Sequence, residues 1–283
     1  MPTDARMDAV VIQASGSPAQ SLAFRSEPVP KPGPGEVHAA AVNPLDVANA
    51  AGYLSTPLPM IPGGDYAGVV VSDGDHAGQE VWGSGPALGM ALAGKRPGTH
   101  ARFVPLPETW LSRKPDCLSM AQAAAVGRSY RVAWETVMNA MKLMPGETIL
   151  ITGGAGMGGQ AATAIARWRG AEPIIADRRK PDGVENFIDT SSAGIREAVL
   201  EITGGRGADL VLDTVGGALF EPALRSLRFD GRMAGIFSSQ EPVNITPAVK
   251  TWPLTDSAEA YQTVLDGSAG IKQVLLPTGR NQS

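Results

Sequence analysis

Three glycines and one acid carry the clearest chemistry in this chain. Gly154, Gly156 and Gly159 fit G-x-G-x-x-G within the cluster Gly153-Gly154-Ala155-Gly156-Met157-Gly158-Gly159, and Asp177 lies 23 residues beyond Gly154. In such a pattern the first glycine makes a tight turn, the second lets the backbone approach a pyrophosphate, and the third lets a helix pack closely on a strand. The apolar run Thr148-Ile149-Leu150-Ile151-Thr152 precedes the cluster, an alanine-rich stretch follows it, and a second apolar run ends in Asp177. The order strand, turn, helix, strand, acid predicts a dinucleotide site, with Gly154, Gly156, Met157, Gly158 and Gly159 as its cofactor loop. The pyrophosphate is expected at the helix N-terminus, where unpaired N–H groups and the positive dipole end meet an anion. A bare glycine pattern is weak in a chain with 34 glycines. The strand and helix around it, and the acid near the expected spacing, give it weight.

The elements that must position this site follow from periodicity and punctuation. From Thr148 onward strands and helices alternate: strands at Thr148–Thr152, Pro173–Ala176, Asn186–Ile188, Ala208–Asp213 and Arg232–Phe237, and helices at Gly158–Arg169 and Ile195–Thr203. Right-handed crossovers assemble such a series into a parallel sheet. Cofactor contacts are then expected at the carboxyl ends of the strands. Those ends carry Asp213-Thr214-Val215-Gly216-Gly217 and Phe237-Ser238-Ser239, so Val215, Gly216, Phe237 and Ser238 are candidate cofactor contacts.

The first 115 or so residues read differently. Short apolar segments at Ala9–Gln13, Glu36–Val42, Ala67–Val71, Gln79–Trp82 and Thr99–Val104 are separated by prolines and glycines without long helices between them. That spacing predicts a compact β-barrel-like unit. Ser119-Met120-Ala121-Gln122 then opens a helical stretch with a serine N-cap, and helical composition runs to Met144 before Pro145-Gly146. A helix at Ser257–Leu265 and a strand at Lys272–Leu276 close the chain. The domain boundaries are expected at 1–118, completed by 251–283, and at 119–250.

Composition narrows the function classes. A net charge of −4 and 5% aromatic residues give no electrostatic or stacking reason to expect nucleic acid. No run of 18 apolar residues occurs and the N-terminus lacks a secretory apolar region, so a cytoplasmic protein with no membrane partner is the expectation. Cys117 is the single cysteine, which excludes an intrachain disulfide or a thiolate zinc cluster within one chain.

The chain resembles the medium-chain dehydrogenase/reductase superfamily, and within it the zinc-independent quinone oxidoreductase, or enone reductase, branch. The resemblance rests on Asn43-Pro44-Leu45-Asp46, Pro62-Gly63-Gly64-Asp65-Tyr66-Ala67-Gly68, Gly98-Thr99-His100-Ala101, Ala123 to Gly127, Gly204 to Asp209 and Asp213 to Gly217. It implies an α/β fold: a GroES-like β-barrel domain plus a Rossmann doubly wound parallel sheet. Zinc alcohol dehydrogenases of this superfamily carry a cysteine where this chain has Asn43 and a histidine-glutamate pair where it has Gly64-Asp65. With His38, His76 and His100 scattered among strands, no metal site is expected.

Hydride transfer from a reduced nicotinamide to a quinone or an α,β-unsaturated carbonyl is the chemistry the resemblance implies. The protein then has to hold the acceptor, exclude water and stabilise charge on the carbonyl oxygen. Asn43 can donate through its amide, and Tyr53 or Tyr130 can donate a hydroxyl or protonate the enolate. Each also has a plain structural role open to it: a turn for Asn43, a packed ring for either tyrosine. Asp177 favours NADH by accepting from the ribose hydroxyls, whereas Arg178 and Arg179 can clamp a 2′-phosphate. The resemblance leans to NADPH as cofactor, with NADH the alternative.

The chain also departs from that family. Pro242 to Pro253 is short by about one βα unit, which removes the strand that commonly pairs across the family's dimer. The sheet is left with a different edge, so either another homodimer forms or local chain covers that edge. Asp177 to Asn186 is short, and Ala48, Ala50 and Val132 replace a tyrosine, an arginine and a threonine common in relatives. These changes leave open a member that binds cofactor without turning over, or one repurposed for a non-redox biosynthetic step.

Overall fold

The computed structural model describes residues 5–30, 34–85, 88–89, 96–192, 194–236, 249–253 and 272–276. In chain order the first elements are β1 (Arg6–Ile12), α1 (Pro18–Ser21), β2 (Leu22–Pro28), β3 (Pro34–Ala39), α2 (Pro44–Ala50), β4 (Asp65–Val70), β5 (Glu80–Ser84), β6 (Phe103–Pro105) and β7 (Ser112–Arg113). Then come α3 (Met120–Trp134), β8 (Thr148–Thr152), α4 (Met157–Arg169), β9 (Glu172–Asp177), β10 (Phe187–Asp189), α5 (Ile195–Ile202), β11 (Ala208–Asp213), α6 (Phe220–Arg225) and β12 (Leu227–Gly235). The last strands are β13 (Val249–Pro253) and β14 (Lys272–Leu276).

Five strands, in the order β10-β9-β8-β11-β12, form a parallel sheet. In sequence order that is 3-2-1-4-5, with the switch point between β8 and β11, where the glycine loop emerges. Period-2 alternation explains how nearly continuous apolar strands cover both faces. Ile149, Ile151, Ile175, Leu210 and Leu212 pack to one side with Ala161, Ala162 and Ala166 of α4. Leu150, Ile174, Ala176 and Val211 pack to the other side with Val199 of α5 and Ala223 of α6. Each fully buried Ile or Leu contributes roughly 1.5–3 kcal/mol of transfer free energy. The alanines of α4 bring its axis close to the sheet, which fixes the loop ahead of it.

The second sheet is antiparallel, in the order β6-β3-β4-β5-β7, and the β1-β2 pair joins it through bridges Ala9–Ala101 and Ile12–Met60. Helix α3 lies against β4 and β5 on one side and α4 on the other, so it couples the two sheets. Ser119 caps α3 as expected: its Oγ accepts from Gln122 N at 3.2 Å, and Gln122 Oε1 accepts from Ser119 N at 2.9 Å. By compactness the chain divides into Met1–Gln240 and Glu241–Ser283, so both sheets fall within one unit. In the second unit β13 and β14 pair in parallel. No helix among the described residues is long and apolar enough to cross a membrane.

Several elements differ from the sequence reading. Helices α1, α2 and α6 and strands β2, β7 and β13 arise where no element is expected, and all are short. The helix expected to run on to Met144 ends its α-helical turns at Trp134, continues as a π-helical segment over Glu135–Ala140, and leaves Lys142 at φ 53°. The strand expected at Thr99–Val104 is confined to Phe103–Pro105 beyond the Ala101 bridge. Strand β12 begins five residues earlier than Arg232, with a register irregularity opposite Ala208 and Leu210. No helix separates β9 from β10, as the shortness of Asp177 to Asn186 implies. The helix expected at Ser257–Leu265 lies outside the described residues.

Candidate functional site

Strand β8 delivers the chain into the glycine loop at the switch point. Gly153 holds φ 68°, and a Cβ there would meet Thr214 Oγ1 at 2.4 Å and Val215 Cγ2 at 2.7 Å. At Gly154 a Cβ would lie 2.2 Å from Ile175 Cγ2 of β9. At Gly159 it would lie 2.4 Å from Gly153 O, so this glycine seats α4 on the end of β8 as the pattern requires. Gly156 is different. It caps α4 at φ −73°, and the nearest atom to an added Cβ is Gly153 O at 3.3 Å. Protein packing presses only lightly on Gly156, so the space beside it is free for a ligand. Gly158 is open as well, with Ile236 Cδ1 at 3.9 Å, and Met157 is half-exposed. The first turn of α4 leaves its N–H groups without helical partners, facing that space.

Two acids lock the loop. Asp177 Oδ2 accepts from Ala155 N at 2.9 Å, while Oδ1 accepts from Arg178 N at 2.7 Å and Arg179 N at 3.3 Å. The carboxylate thus fastens the glycine loop to the end of β9. Asp213, fully buried, accepts at Oδ1 from Thr152 Oγ1 at 2.5 Å and from Val215 N and Gly216 N at 3.0 Å each. Thr214 Oγ1 returns a bond to Thr152 O at 2.7 Å. These bonds hold the ends of β8 and β11 together and give Gly216 its φ of 73°.

An open cleft of about 580 Å³ runs along the glycine loop and is lined by Gly154, Ala155, Tyr130, Arg167, Arg179 and Lys180, among others. Its charged lining is three cations against one acid, Asp182. Such a cleft suits a phosphate-bearing ligand. The donor set and the spaces left at Gly156 and Gly158 fit a dinucleotide.

On the antiparallel side, Asn43 caps α2 and Asp46 Oδ2 accepts from Asn43 N at 2.8 Å. The Asn43 side chain donates from Nδ2 to Asp65 Oδ2 at 2.8 Å. Both residues are buried, and Thr99 Oγ1 donates to Asp65 O at 2.8 Å. Among the described residues no group of three His, Cys, Asp or Glu side chains is arranged to hold a metal.

Comparison with known proteins places this arrangement. Residues 36–116 match a family described as "Alcohol dehydrogenase GroES-like domain", and residues 159–254 match one described as "Zinc-binding dehydrogenase". A zinc-type alcohol dehydrogenase-like protein of Schizosaccharomyces pombe is 33% identical over 232 residues, covering 78% of this chain and 67% of that protein. The chain belongs to the medium-chain dehydrogenase/reductase superfamily. A quinone oxidoreductase-like protein 2 homolog of Nematostella vectensis is 33% identical over 223 residues, which is 74% of this chain but 60% of that relative. The chain therefore spans about two thirds or less of the length of these two relatives. A solved NAD-dependent alcohol dehydrogenase has a TM-score of 0.75 at 26% identity, covering 95% of this chain and 99% of that one. The antiparallel part is the superfamily's GroES-like domain and the parallel sheet its Rossmann-like domain. Medium-chain dehydrogenases/reductases are oxidoreductases that bind NAD(P)-type nucleotides.

Against that superfamily frame, the sequence-derived candidates distribute unevenly. Gly154, Gly156, Met157, Gly158, Gly159, Asp177, Arg178 and Arg179 gather at one end of β8 and β9, with Val215 and Gly216 beside them. Phe237 and Ser238 lie outside the described residues. Tyr130 lines the cleft with Gly154 and Ala155. Tyr53 is 57% exposed on the turn after α2. Ala50 is buried in α2, and Val132 is half-buried on α3. Sequence reasoning missed Thr152, Thr214 and Lys180. The threonine after Asp213 was a legible signal, because a hydroxyl at a strand end commonly ties neighbouring backbone. Lys180 extends the basic run of Arg178 and Arg179 and could have been counted with them.

Proposed function

We propose that this chain is a zinc-independent, NADPH-dependent reductase acting on quinones or α,β-unsaturated carbonyl compounds. The observation that carries the reading is the pairing of an intact nucleotide cradle with Asn43 and Asp65 bonded to one another at the positions where zinc members of the family carry ligands. When bound, the reduced nicotinamide supplies a hydride. The work left to the chain is binding and orientation. Asp177 and Asp213 hold the two loops so that the N–H groups at the start of α4 meet the pyrophosphate. Asp65 fixes the Asn43 amide, and the second N–H of Asn43 Nδ2 remains available to a carbonyl oxygen. A donor fixed before the reaction stabilises developing negative charge without reorganising.

The preference for NADPH is supported by the charge of the cleft. Arg179 and Lys180 are exposed beside the loop, where a 2′-phosphate would lie, and both carboxylate oxygens of Asp177 accept from backbone N–H groups. A carboxylate already accepting three such bonds is a weaker ribose acceptor than an unencumbered one. The test is consumption of NADPH and NADH with a panel of quinones and simple enones. Faster oxidation of NADPH is expected, and cofactor binding with no oxidation across the panel contradicts the reductase reading. That outcome would favour the second reading, a cofactor-binding member without turnover or one repurposed for a non-redox step, for which Ala48, Ala50 and Val132 are the motivating departures.

A further inference from the structure

Arg128 occupies an unusual position on α3. Its Nε and Nη2 have almost no exposed surface and, among the described residues, no hydrogen-bond partner. These two groups form one edge of the guanidinium, the edge that meets a carboxylate as a two-pronged fork. The side chain fills the volume that a residue at position 64 would need: a Cβ on Gly64 would lie 2.1 Å from Arg128 Nη2. The next glycine on the helix side, Gly127, admits the Asp65 carboxylate, since a Cβ there would lie 2.9 Å from Asp65 Oδ1. That oxygen is also buried without a partner among the described residues, while Oδ2 is taken by Asn43. A cation thus stands next to the Gly64-Asp65 step, in space made by the absence of a side chain at 64.

A guanidinium edge that has lost its hydration and gained no acceptor is costly to the folded state, even with the rest of the half-buried side chain in reach of water. No bond at Nε or Nη2 holds it in place, so turning toward an incoming anion breaks none. We propose that Arg128 is the anchor of the acceptor site and takes a substrate carboxylate on its Nε–Nη2 edge. The acceptor class is then an unsaturated carbonyl compound or quinone that also carries a carboxylate. The word acceptor rests on the reductase reading above, whereas the binding of the carboxylate does not.

The experiment is calorimetric titration of the full chain with trans-cinnamate and with its uncharged methyl ester, in wild type, Arg128→Lys and Arg128→Met, together with thermal melting of each. Cinnamate is expected to bind wild type, to weaken about tenfold or more in Arg128→Met and less in Arg128→Lys, with the ester indifferent to all three. Arg128→Met is also expected to melt higher than wild type without ligand, because it removes two buried donors that have no acceptor. NADPH affinity, read by nicotinamide fluorescence, should be the same in all three and reports that each is folded. Three results overturn the proposal: no cinnamate binding to wild type, equal affinity across the variants, or a lower melting point for Arg128→Met. The last would mean that Arg128 serves Asp65 as an internal ion-pair partner. Arg128-dependent cinnamate binding without reduction of any acceptor would remove the reductase reading alone.

Discussion

The amide of Asn43 donates to Asp65 Oδ2 at 2.8 Å, with both side chains buried. This bond joins the cap of α2 to the first residue of β4 and fixes the rotamer of the Asn43 amide. Asp65→Ala leaves Asn43 buried and unmatched, which costs about 1–3 kcal/mol. Urea unfolding should show that loss, and turnover with an enone should fall while NADPH affinity stays unchanged.

Gly156 and Gly159 separate ligand space from packing space. Gly156→Val is expected to fold, because its backbone is at φ −73° and only Gly153 O crowds it, yet to lose cofactor binding. Gly159→Val drives a side chain into Gly153 O and Gly154 Cα, at 2.4 and 2.6 Å from Cβ, and is expected to destabilise the fold itself. Circular dichroism melts beside fluorescence titrations distinguish the two effects. A Gly156→Val protein that binds NADPH as wild type does would move the pyrophosphate elsewhere.

Much of this site was legible because its requirements are local. The glycine pattern and the length of β8 and β9 follow from turn geometry and strand periodicity within about thirty residues. Asp177 is expected as a ribose ligand, and the structure adds bonds to its oxygens from the Ala155, Arg178 and Arg179 N–H groups. Those bonds could not be read from spacing, because they depend on how closely the loop folds back on β9. The Asn43–Asp65 bond and the position of Arg128 were hidden for a different reason. The first spans 22 residues with no turn or strand pattern to fix its geometry, and the second depends on the packing of α3 on β4. Elements of three to seven residues, such as α2 and α6, carry too few turns for a hydrophobic period to show.

Cofactor choice should respond to the cations and not chiefly to the acid. Arg179→Ala and Lys180→Ala are each expected to weaken NADPH about tenfold while leaving NADH nearly unchanged, since each removes a charged partner of a phosphate. Asp177→Ser should weaken both cofactors together by releasing Ala155 N. Fluorescence titration with the two reduced cofactors measures all of these changes.

Asp209 gives the parallel sheet an acid-sensitive clamp. Burial alone would raise its pKa, but Thr148 N, Arg228 and Arg206 together outweigh burial and hold it below its ordinary value of 3.8. The bonds are 2.8 Å from Thr148 N, 2.5 Å from Arg228 Nε and 2.9 Å from Arg206 Nη1. A carboxylate lowered in the folded state stabilises the fold above its unfolded pKa, and that contribution is lost as pH falls through the folded value. Asp209→Asn should therefore destabilise by about 2–3 kcal/mol at pH 7 and flatten the loss of stability below about pH 4. Urea midpoints measured from pH 7 to pH 3 check the sign.

Hydride transfer is tested most directly by isotope. NADPH carrying deuterium at C4 on the transferred face, supplied with a simple enone, should give a product with one deuterium at the β-carbon. Preparations labelled on each face in turn cover both stereochemical possibilities. A product formed without deuterium from either preparation, or no product from protein that binds NADPH, would contradict the account.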